Sequence, residues 1–283
     1  MVPVPGILYL VPTPIGNLGD ISARCRETLA AVDFIAAEDT RVCLKLLNHL
    51  ELKKPLVSYH EHNRAESGQR ILQRLLNGEN CALVTDAGTP AISDPGEDLV
   101  ALCAAADVPV TALPGPCAAI TALAVSGLPT GRFTFEGFLS TTRKNRTAHL
   151  QSLAGETRTM IFYEAPHKLC NTLNDLIGTF GPDRRVALCR ELTKLHEEIL
   201  RTTLAGAAAV YAEKAPRGEY VLIVAGAAPE KAPAVTLSDG AELVRQLRTD
   251  GLSLKDAVRQ AAQQTGLPRN ALYDACVRAD EMR

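Results

Sequence analysis

The segment TDAGTPAISDPG, residues 85–96, carries the groups in this chain best suited to hold a ligand. The apolar run at residues 82–84 leads directly into it, as a buried strand does when its carboxyl end opens into a binding loop. Glycine lets the backbone approach a ligand closely, and proline keeps a loop rigid. Two further apolar runs end in the same way, in proline-rich loops at residues 12–17 and 114–117. Three strands that open into three such loops predict one shared cleft, which is typical of an enzyme.

Two kinds of site are disfavoured by the residues themselves. A phosphate site is disfavoured because neither G-x-G-x-x-G nor G-x-x-x-x-G-K-[ST] occurs, and the loop at Pro12 has proline where phosphate binding needs backbone N–H groups. A cation could bind at His60, Glu61 and His62, or at the aspartates of the 85–96 segment, Asp86 and Asp94. Histidines at strand ends and aspartates in turns more commonly form local hydrogen bonds, so no metal is expected.

A compact nucleoside ligand such as S-adenosylmethionine is compatible with the same loops. Its base needs an apolar slot, its amino-acid end needs backbone and hydroxyl partners, and its sulfonium tolerates carboxylates. Asp86, Thr89 and Ser93 offer such groups, although this chemistry alone leaves the choice of ligand open.

The composition is that of an ordinary globular protein of roughly two domains: 283 residues, 46% hydrophobic, 22% charged, with a net charge of −2. This charge argues against a general nucleic-acid coat and leaves room for a local basic patch. The eight cysteines include no C-x-x-C pair and are interpreted as small buried hydrophobes in a reducing compartment. With no signal-peptide pattern and no apolar run near ~20 residues, a cytoplasmic location is expected.

The order of apolar segments predicts two α/β domains and a helical tail. Strand-like and helix-like segments alternate up to residue 117, which predicts a mainly parallel sheet with helices on both faces. Beyond it, strands are expected at 159–163, 185–189 and 219–225, and helices around 168–179 and 203–212. The predicted domains are residues 1–117 and 118–226, with the cleft between them.

A linker and three short helices are expected after the second domain. The composition of residues 227–236 predicts a linker. The segment 237–283 predicts helices at 237–248, 253–265 and 268–278, the middle one capped by Ser253 and ended by Gly266. This order is typical of a helix-turn-helix module. Its seven Arg and Lys residues against seven Asp and Glu lack the bias of a strong nucleic-acid binder.

Seven stretches carry a resemblance to one known family. They are LVPTPIGNL at 10–18, AEDTR at 37–41, SYHEHN at 58–63, TDAGTPAISDPG at 85–96, LPGPCAAITAL at 113–123, FYEAPHK at 162–168 and CRELTK at 189–194. Over about residues 7–226 the chain resembles the ribosomal RNA small-subunit methyltransferase I family, a branch of the tetrapyrrole methylases, and its tail resembles that family's helix-turn-helix segment more weakly. PTPIG replaces the Gly-rich first loop of tetrapyrrole methylases and GTP replaces Gly-Asp-Pro, which fits the RNA branch better than a porphyrinoid substrate.

The resemblance implies a two-domain α/β enzyme of the class III S-adenosylmethionine methyltransferase type, forming a homodimer without a membrane association. It implies methylation of the ribose 2′-hydroxyl of a cytidine in small-subunit (16S) ribosomal RNA near the decoding centre. Carried over by position, the cofactor contacts are Pro12, Gly16, Asp86, Gly88, Thr89, Pro90, Ile92, Ser93, Pro114, Ala118, Tyr163, Glu164 and Glu219.

Methyl transfer to a ribose oxygen requires alignment of that oxygen and removal of its proton. Lys194 is favoured as proton acceptor or hydroxyl orienter among the candidates at strand ends facing the predicted cleft, which are Lys194, Glu38, Asp39, His60, Glu61, Arg190 and Glu191. The alternative is that Glu38 with Arg41 and Glu191 with Lys194 form structural ion pairs.

Candidate RNA contacts are the arginines and lysines near the predicted cleft, for which a solvated loop is the alternative: Arg41, Arg132, Arg143, Lys144, Arg146 and Arg190. Two other functions stay open at this point. They are methylation of a small heterocycle and a ligand-responsive regulator that binds DNA through the tail.

Overall fold

A computed structural model describes residues 4–228 and 236–281. The chain forms two compact units, Met1–Ala227 and Ala228–Arg283. The first unit contains two β-sheets and the second contains three helices. Residues 229–235 of the predicted linker lie outside the described residues, as do residues 1–3 and 282–283.

The first sheet consists of five parallel strands: β1 (Leu8–Leu10), β2 (Phe34–Ala37), β3 (Leu56–Ser58), β4 (Cys81–Val84) and β5 (Val110–Ala112), in the order β3-β2-β4-β1-β5. The helices between them are α1 (Ala23–Ala31), α2 (Thr40–His49), α3 (Arg64–Leu76) and α4 (Glu97–Ala105). Successive residues of β2 enter different clusters, Phe34 with α3 and α4, and Ile35 with α1 and α2. The predicted parallel sheet with helices on both faces is confirmed.

The strand order brings three loops together at one edge of this sheet. Since β1 lies between β4 and β5, the segments that follow these three strands are neighbours. Thr13 and Gly88 exchange backbone hydrogen bonds of 2.9 and 3.0 Å, and Thr89 donates its hydroxyl to the Pro116 carbonyl at 2.8 Å. The three loops therefore form one connected surface.

The second sheet is mixed, and its order is β6-β7-β10-β8-β9, with β6 parallel to β7 and the other pairs antiparallel. Its elements are α5 (Ala118–Val125), β6 (Phe133–Phe138), α6 (Arg143–Ser152), β7 (Thr159–Glu164), α7 (Leu169–Phe180), β8 (Arg185–Arg190), β9 (Glu198–Thr203), α8 (Leu204–Glu213) and β10 (Tyr220–Val224). Strands β7, β8 and β10 agree with the sequence prediction, whereas β6, β9 and α6 were not predicted. Helix α6 has few apolar residues, so its periodicity is weak.

The two sheets share a layer of apolar side chains. Ile15, from the loop after β1, is buried in one cluster with Ala119 of α5 and with Ile161 and Val221 of the second sheet. The opposite face of that sheet packs against α7 and α8 through residues such as Phe162 and Leu222. The loop after β1 is thus held against the second sheet.

The second unit is formed by α9 (Leu237–Thr249), α10 (Leu254–Thr265) and α11 (Arg269–Glu281). The predicted cap is present, since Asp256 N–H donates to Ser253 Oγ at 3.2 Å, and Gly266 ends α10 with φ +71°. Val244, Val258 and Leu272 lie in its core. Among the described helices, none is both long and apolar enough to cross a membrane.

The cysteines are mostly buried, as expected, although Cys170 is exposed and Cys117 is half-buried.

Candidate active site

A cavity of about 490 Å³ opens where the loops of the first sheet meet the second sheet. The loop after β4 and the start of α5 line one side, and the end of β7 and the start of β10 line the other. Its walls are largely apolar, with a few polar side chains among them, and both its size and its lining are typical of small-ligand sites. The predicted shared cleft therefore exists at the carboxyl edge of the first sheet.

Several predicted cofactor contacts are brought together on the cavity wall. They are Gly88, Thr89, Ile92, Ser93, Ala118, Tyr163, Glu164 and Glu219. Gly88 has φ +91°, and a Cβ built on it would lie 3.4 Å from Ile15 Cγ2, so glycine suits both the backbone conformation and the space.

The other predicted cofactor contacts lie outside the wall. Pro12 packs under the loop after β5, because a Cβ on Gly115 would lie 2.6 Å from Pro12 Cβ. Pro90 is buried and Pro114 is exposed. Asp86 accepts a hydrogen bond from the Asp39 backbone N–H at 3.1 Å.

An aromatic group forms one side of the cavity. Tyr163 makes edge contacts with Phe135 and Phe138, at centroid distances of 5.2 and 5.5 Å. Ala119, in the first turn of α5, donates its N–H to Tyr163 Oη at 3.2 Å. Burial raises the pKa of Tyr163 to about 12, so the phenol stays neutral.

Glu164 is fixed beside this aromatic group. It is 4% exposed, accepts the hydroxyl hydrogen bond of Thr172 and accepts the backbone N–H of Ala165 at 2.8 Å. A carboxylate held in this way is a rigid polar feature of the wall rather than a mobile base.

Lys194 is a charged side chain that is hydrogen-bonded to two carboxylates. Its Nζ lies 2.8 Å from Glu191 Oε1 and 2.8 Å from Glu219 Oε2. Burial alone would lower the pKa of Lys194, but the hydrogen bonds to the two carboxylates outweigh it and the pKa is raised above its usual 10.5. The alternative Glu191–Lys194 ion pair is present, and the role of Lys194 as proton acceptor or hydroxyl orienter stays a prediction.

The stem of Lys194 also explains the position of Gly16. A Cβ on Gly16 would lie 2.4 Å from Lys194 Cγ, and Gly16 has φ +143°. The aliphatic part of the Lys194 side chain therefore packs directly on Gly16, which does not line the cavity. Through this packing and its ion pair with Glu219, Lys194 connects the loop after β1 to the start of β10.

The remaining candidate bases also lie outside the cavity wall. Glu38 accepts the Thr85 hydroxyl at 2.7 Å. Asp39 caps α2 and pairs with Arg41 at 2.6 Å, so the ion pair expected of Glu38 is made by Asp39. His60 follows β3 at the far side of the sheet, where its Nδ1 is buried and has no hydrogen-bond partner among the described residues.

The predicted RNA contacts do not form one basic patch. Arg190 pairs with Glu198 at 3.0 Å, and Arg146 pairs with Asp175 at 2.6 Å with its side chain only 14% exposed. Arg132 precedes β6, whose opposite end reaches the cavity at Phe138, so it lies roughly 20 Å along the strand from the cleft. Arg143 and Lys144 are exposed at the start of α6.

Asp94 is a cavity residue that the sequence analysis weighed only as a metal ligand. It lines the main cavity and also an adjacent polar cavity of about 230 Å³. Its signal in the sequence is its place in the Pro/Gly loop between Ser93 and Pro95. Phe138 was missed because the strand that carries it was not recognised.

Two family models match the chain. The model described as Tetrapyrrole (Corrin/Porphyrin) Methylases matches residues 7–208, and the RsmI C-terminal HTH domain model matches residues 236–278.

Curated relatives match over nearly the full length. A protein of Synechocystis sp. named Ribosomal RNA small subunit methyltransferase I is 52% identical over 95% of this chain and 96% of its own. A protein of the same name from Bacillus subtilis is 44% identical over 95% of this chain and 94% of its own.

Solved structures show the same fold at low identity. The methyltransferase CobJ has a TM-score of 0.59 at 20% identity, over 80% of this chain and 97% of its own. A uroporphyrin-III C-methyl transferase from Thermus thermophilus, solved in complex with S-adenyl homocysteine, has a TM-score of 0.54 at 18% identity, over 78% and 97%.

Proposed function

We propose that this chain, which belongs to the tetrapyrrole methylase family and to its ribosomal RNA small subunit methyltransferase I branch, methylates the ribose 2′-hydroxyl of a cytidine in small-subunit ribosomal RNA. The methyl donor is S-adenosylmethionine, the modified nucleotide lies near the decoding centre, and the enzyme works in the cytoplasm as a homodimer. The observation that carries the proposal is the cavity of about 490 Å³, placed between the two sheets in a chain of which 95% matches a named relative.

The cavity fits this cofactor in size and in chemistry. Ile92, Ala118 and Val221 provide an apolar surface for a nucleoside, and Ser93 and Glu219 provide polar partners. When bound, S-adenosylmethionine supplies a methyl group on a positively charged sulfur. Carboxylates on the wall are compatible with that charge. Lys194 does not line the cavity, and its ammonium charge is paired with Glu191 and Glu219.

The residues of the wall hold the reactants rather than react with them. The loop at residues 88–96 is tied to the loops after β1 and β5 by the Thr13–Gly88 and Thr89–Pro116 hydrogen bonds. Tyr163, anchored by Ala119, keeps the second sheet at a fixed position across the cavity. Alignment of this kind supplies a large share of the barrier reduction in a displacement reaction.

A polar groove beside α6 supports an RNA substrate. It measures about 540 Å³ and is lined by Arg143, Lys168, Asn171 and Asn174, among others. Arg143 and Lys168 make no ion pair within the described residues, so both charges are available to phosphates.

The homodimer has support in the edge of the second sheet. Strand β6 is an edge strand and exposes Phe133 and Phe135 by 40% and 38%. An exposed apolar edge of this kind is a place for another chain to pair or pack. Light scattering on the purified protein is expected to give twice the chain mass, and a monomer mass would contradict this part of the proposal.

The proposal is tested by transfer of labelled methyl from S-adenosylmethionine to small ribosomal subunits from cells that lack this protein. The modified nucleotide is then mapped by mass spectrometry, and its ribose is examined. We expect label on one cytidine 2′-oxygen, with no label on subunits from wild-type cells, which already carry the modification. Small subunits stripped of protein serve as a second substrate and decide whether naked RNA suffices.

Three other outcomes would contradict the proposal in different ways. Label on a base would leave an RNA methyltransferase with a different acceptor atom. Cofactor binding without transfer to RNA would favour methylation of a small heterocycle. Specific DNA binding without transfer would favour a ligand-responsive regulator.

A further inference from the structure

We infer that Asp94 is the group that takes the proton from the acceptor hydroxyl, and that the acceptor ribose binds in the polar cavity on the other side of Asp94. This inference rests on the proposed methyl transfer and adds to it the residue and the subsite. It starts from an observation about space: the cofactor-sized cavity of about 490 Å³ and the polar cavity of about 230 Å³ share a wall made of Ser93 and Asp94.

The shared wall is where a methyl donor and its acceptor must meet. The larger cavity is closed in by apolar groups, whereas the smaller one is lined by Glu61, Arg64, Glu97 and Asp98, which suit a hydroxyl-rich sugar. Asp94 is the carboxylate on that wall. None of the earlier candidates lines the larger cavity, and Glu61 lines only the smaller one. A general base must lie within hydrogen-bond reach of the proton that it removes.

The backbone of the loop is strained in a way that fixes this side chain. Ala91 and Ser93 have φ of +66° and +67°, a conformation that costs residues with a Cβ about 1 kcal/mol or more each. Gly96 has φ +152°, and a Cβ on it would lie 2.9 Å from Ala91 Cβ and 3.0 Å from Leu83 Cδ2. Neighbouring packing therefore holds the loop in one conformation, and Asp94 extends from its centre.

The surroundings of Asp94 prepare it to accept a proton near neutral pH. Burial, together with the charges of Glu38 and Asp86, raises the pKa of Asp94 to about 6. Across the larger cavity its charge acts on Tyr163. The charged groups of the smaller cavity face it as well: Glu61, Arg64, Glu97 and Asp98. A base with this pKa is ionised at pH 7.5 and is stronger than an ordinary aspartate.

The transfer balances with one proton and no further reactant. The acceptor oxygen forms a bond to the methyl carbon as the carbon–sulfur bond breaks, and that electron pair remains on sulfur. The hydroxyl proton moves to an Asp94 carboxylate oxygen and then to water through the open polar cavity. Glu38 accepts a hydrogen bond from the Thr85 hydroxyl. It acts as a positioning residue, because this bond holds Thr85 beside Asp94.

The test compares Asp94→Asn with Asp94→Glu and with Asp183→Asn, a matched change at an exposed aspartate before β8. Single-turnover methyl transfer to small subunits is measured from pH 5 to 9, and binding of S-adenosylmethionine and of the subunits is measured separately by calorimetry and sedimentation. We expect Asp94→Asn to bind both within about 3-fold of wild type while its transfer rate falls at least about 100-fold. The wild-type rate should rise with pH through about 6, and this limb should be absent in Asp94→Asn.

The outcomes separate this inference from the proposed function. Transfer by Asp94→Asn within about 3-fold of wild type would overturn the inference, and so would a rate loss that is explained by lost cofactor or subunit binding. Asp94→Glu keeps a carboxylate and should recover part of the transfer rate. If the asparagine variant does not fold, the rate and pH profile of Asp94→Glu test the inference instead. A wild-type protein that binds the cofactor and transfers nothing at any pH would instead contradict the proposed function.

Discussion

Replacement of Asp94 by asparagine should make the protein more stable at pH 8 and give a gain about half as large at pH 5. The carboxyl has an ordinary pKa of 3.8 and, in the folded protein, a pKa raised to about 6 by burial and by the charge of Glu38. The folded state therefore binds this proton more tightly than the unfolded state does. The free energy of unfolding falls as pH rises from about 4 to about 6, and above that range the full penalty is present.

The magnitude follows from that pKa difference. The shift from 3.8 to about 6 is about 2 units, and each unit corresponds to about 1.4 kcal/mol, which gives an upper bound of about 3 kcal/mol. Asp94 is only half-buried and is screened by water in the polar cavity, so we expect about 1 to 2 kcal/mol. Asparagine at position 94 carries no charge at any pH, so the variant does not lose this free energy of unfolding as pH rises.

Urea denaturation of the two proteins at pH 5 and at pH 8 measures this directly. We expect a gain of about 1 to 2 kcal/mol for Asp94→Asn at pH 8 and about half of that gain at pH 5, while Asp183→Asn follows wild type at both. The reasoning fails if Asp94→Asn and wild type keep the same difference at both pH values. The contributions of other groups that titrate in this range to the free energy of unfolding cancel, because only the difference between the two proteins is used.

Three further changes test other parts of the site. Gly16→Ala should destabilise the protein by about 2 kcal/mol, because the new Cβ meets the Lys194 stem and φ is +143°; the urea midpoint measures it. Thr172→Val should cost about 1 to 3 kcal/mol by removing the hydroxyl donor of buried Glu164, again by denaturation. Arg143→Ala should weaken binding to small subunits and reduce the dependence of the affinity on salt, measured by sedimentation at two salt concentrations.

Each of these changes has a control in the chain or the assay. Gly131→Ala adds a Cβ where no atom of the described residues lies within 4 Å and should leave stability within about 0.5 kcal/mol of wild type. Thr172→Ser keeps the hydroxyl and should recover most of the loss. Unchanged affinity and salt dependence for Arg143→Ala would place the RNA elsewhere on the surface.

The sequence predicted the strands that are buried on both faces and missed those at the edges of the second sheet. Strand β10 is buried along its whole length, and its apolar run is continuous. Strands β6 and β9 are the two edge strands of that sheet, and both are only partly buried. Edge strands need fewer apolar residues, and β6 also has a register shift between Phe135 and Gly137, which interrupts its alternation.

The loops of the site could be predicted from the sequence more readily than the residue that we infer to take the proton. The loops after β1, β4 and β5 were recognised from their glycines and prolines, whose chemistry is local. Glu38 and His60 end β2 and β3, which lie on the far side of β4 from β1, so they do not line the larger cavity although Glu38 lies beside Thr85. Strand order depends on how distant segments pack, and no local pattern in the sequence records it.

The loop at residues 88–96 combines three features that each lower the stability of the fold. Ala91 and Ser93 adopt a conformation that glycine would adopt more easily, and Asp94 places a charge beside two other carboxylates in a half-buried wall. A sequence selected only for stability would have glycine at the first two positions and a neutral residue at the third. Strain and an unfavourable charge persist together where the geometry that they create is used. Here they place one carboxylate, with its pKa near neutral, between a space for a methyl donor and a space for a sugar. The half-buried charge of Asp94 is thus the common cause of the stability gain expected of Asp94→Asn and of its expected loss of methyl transfer.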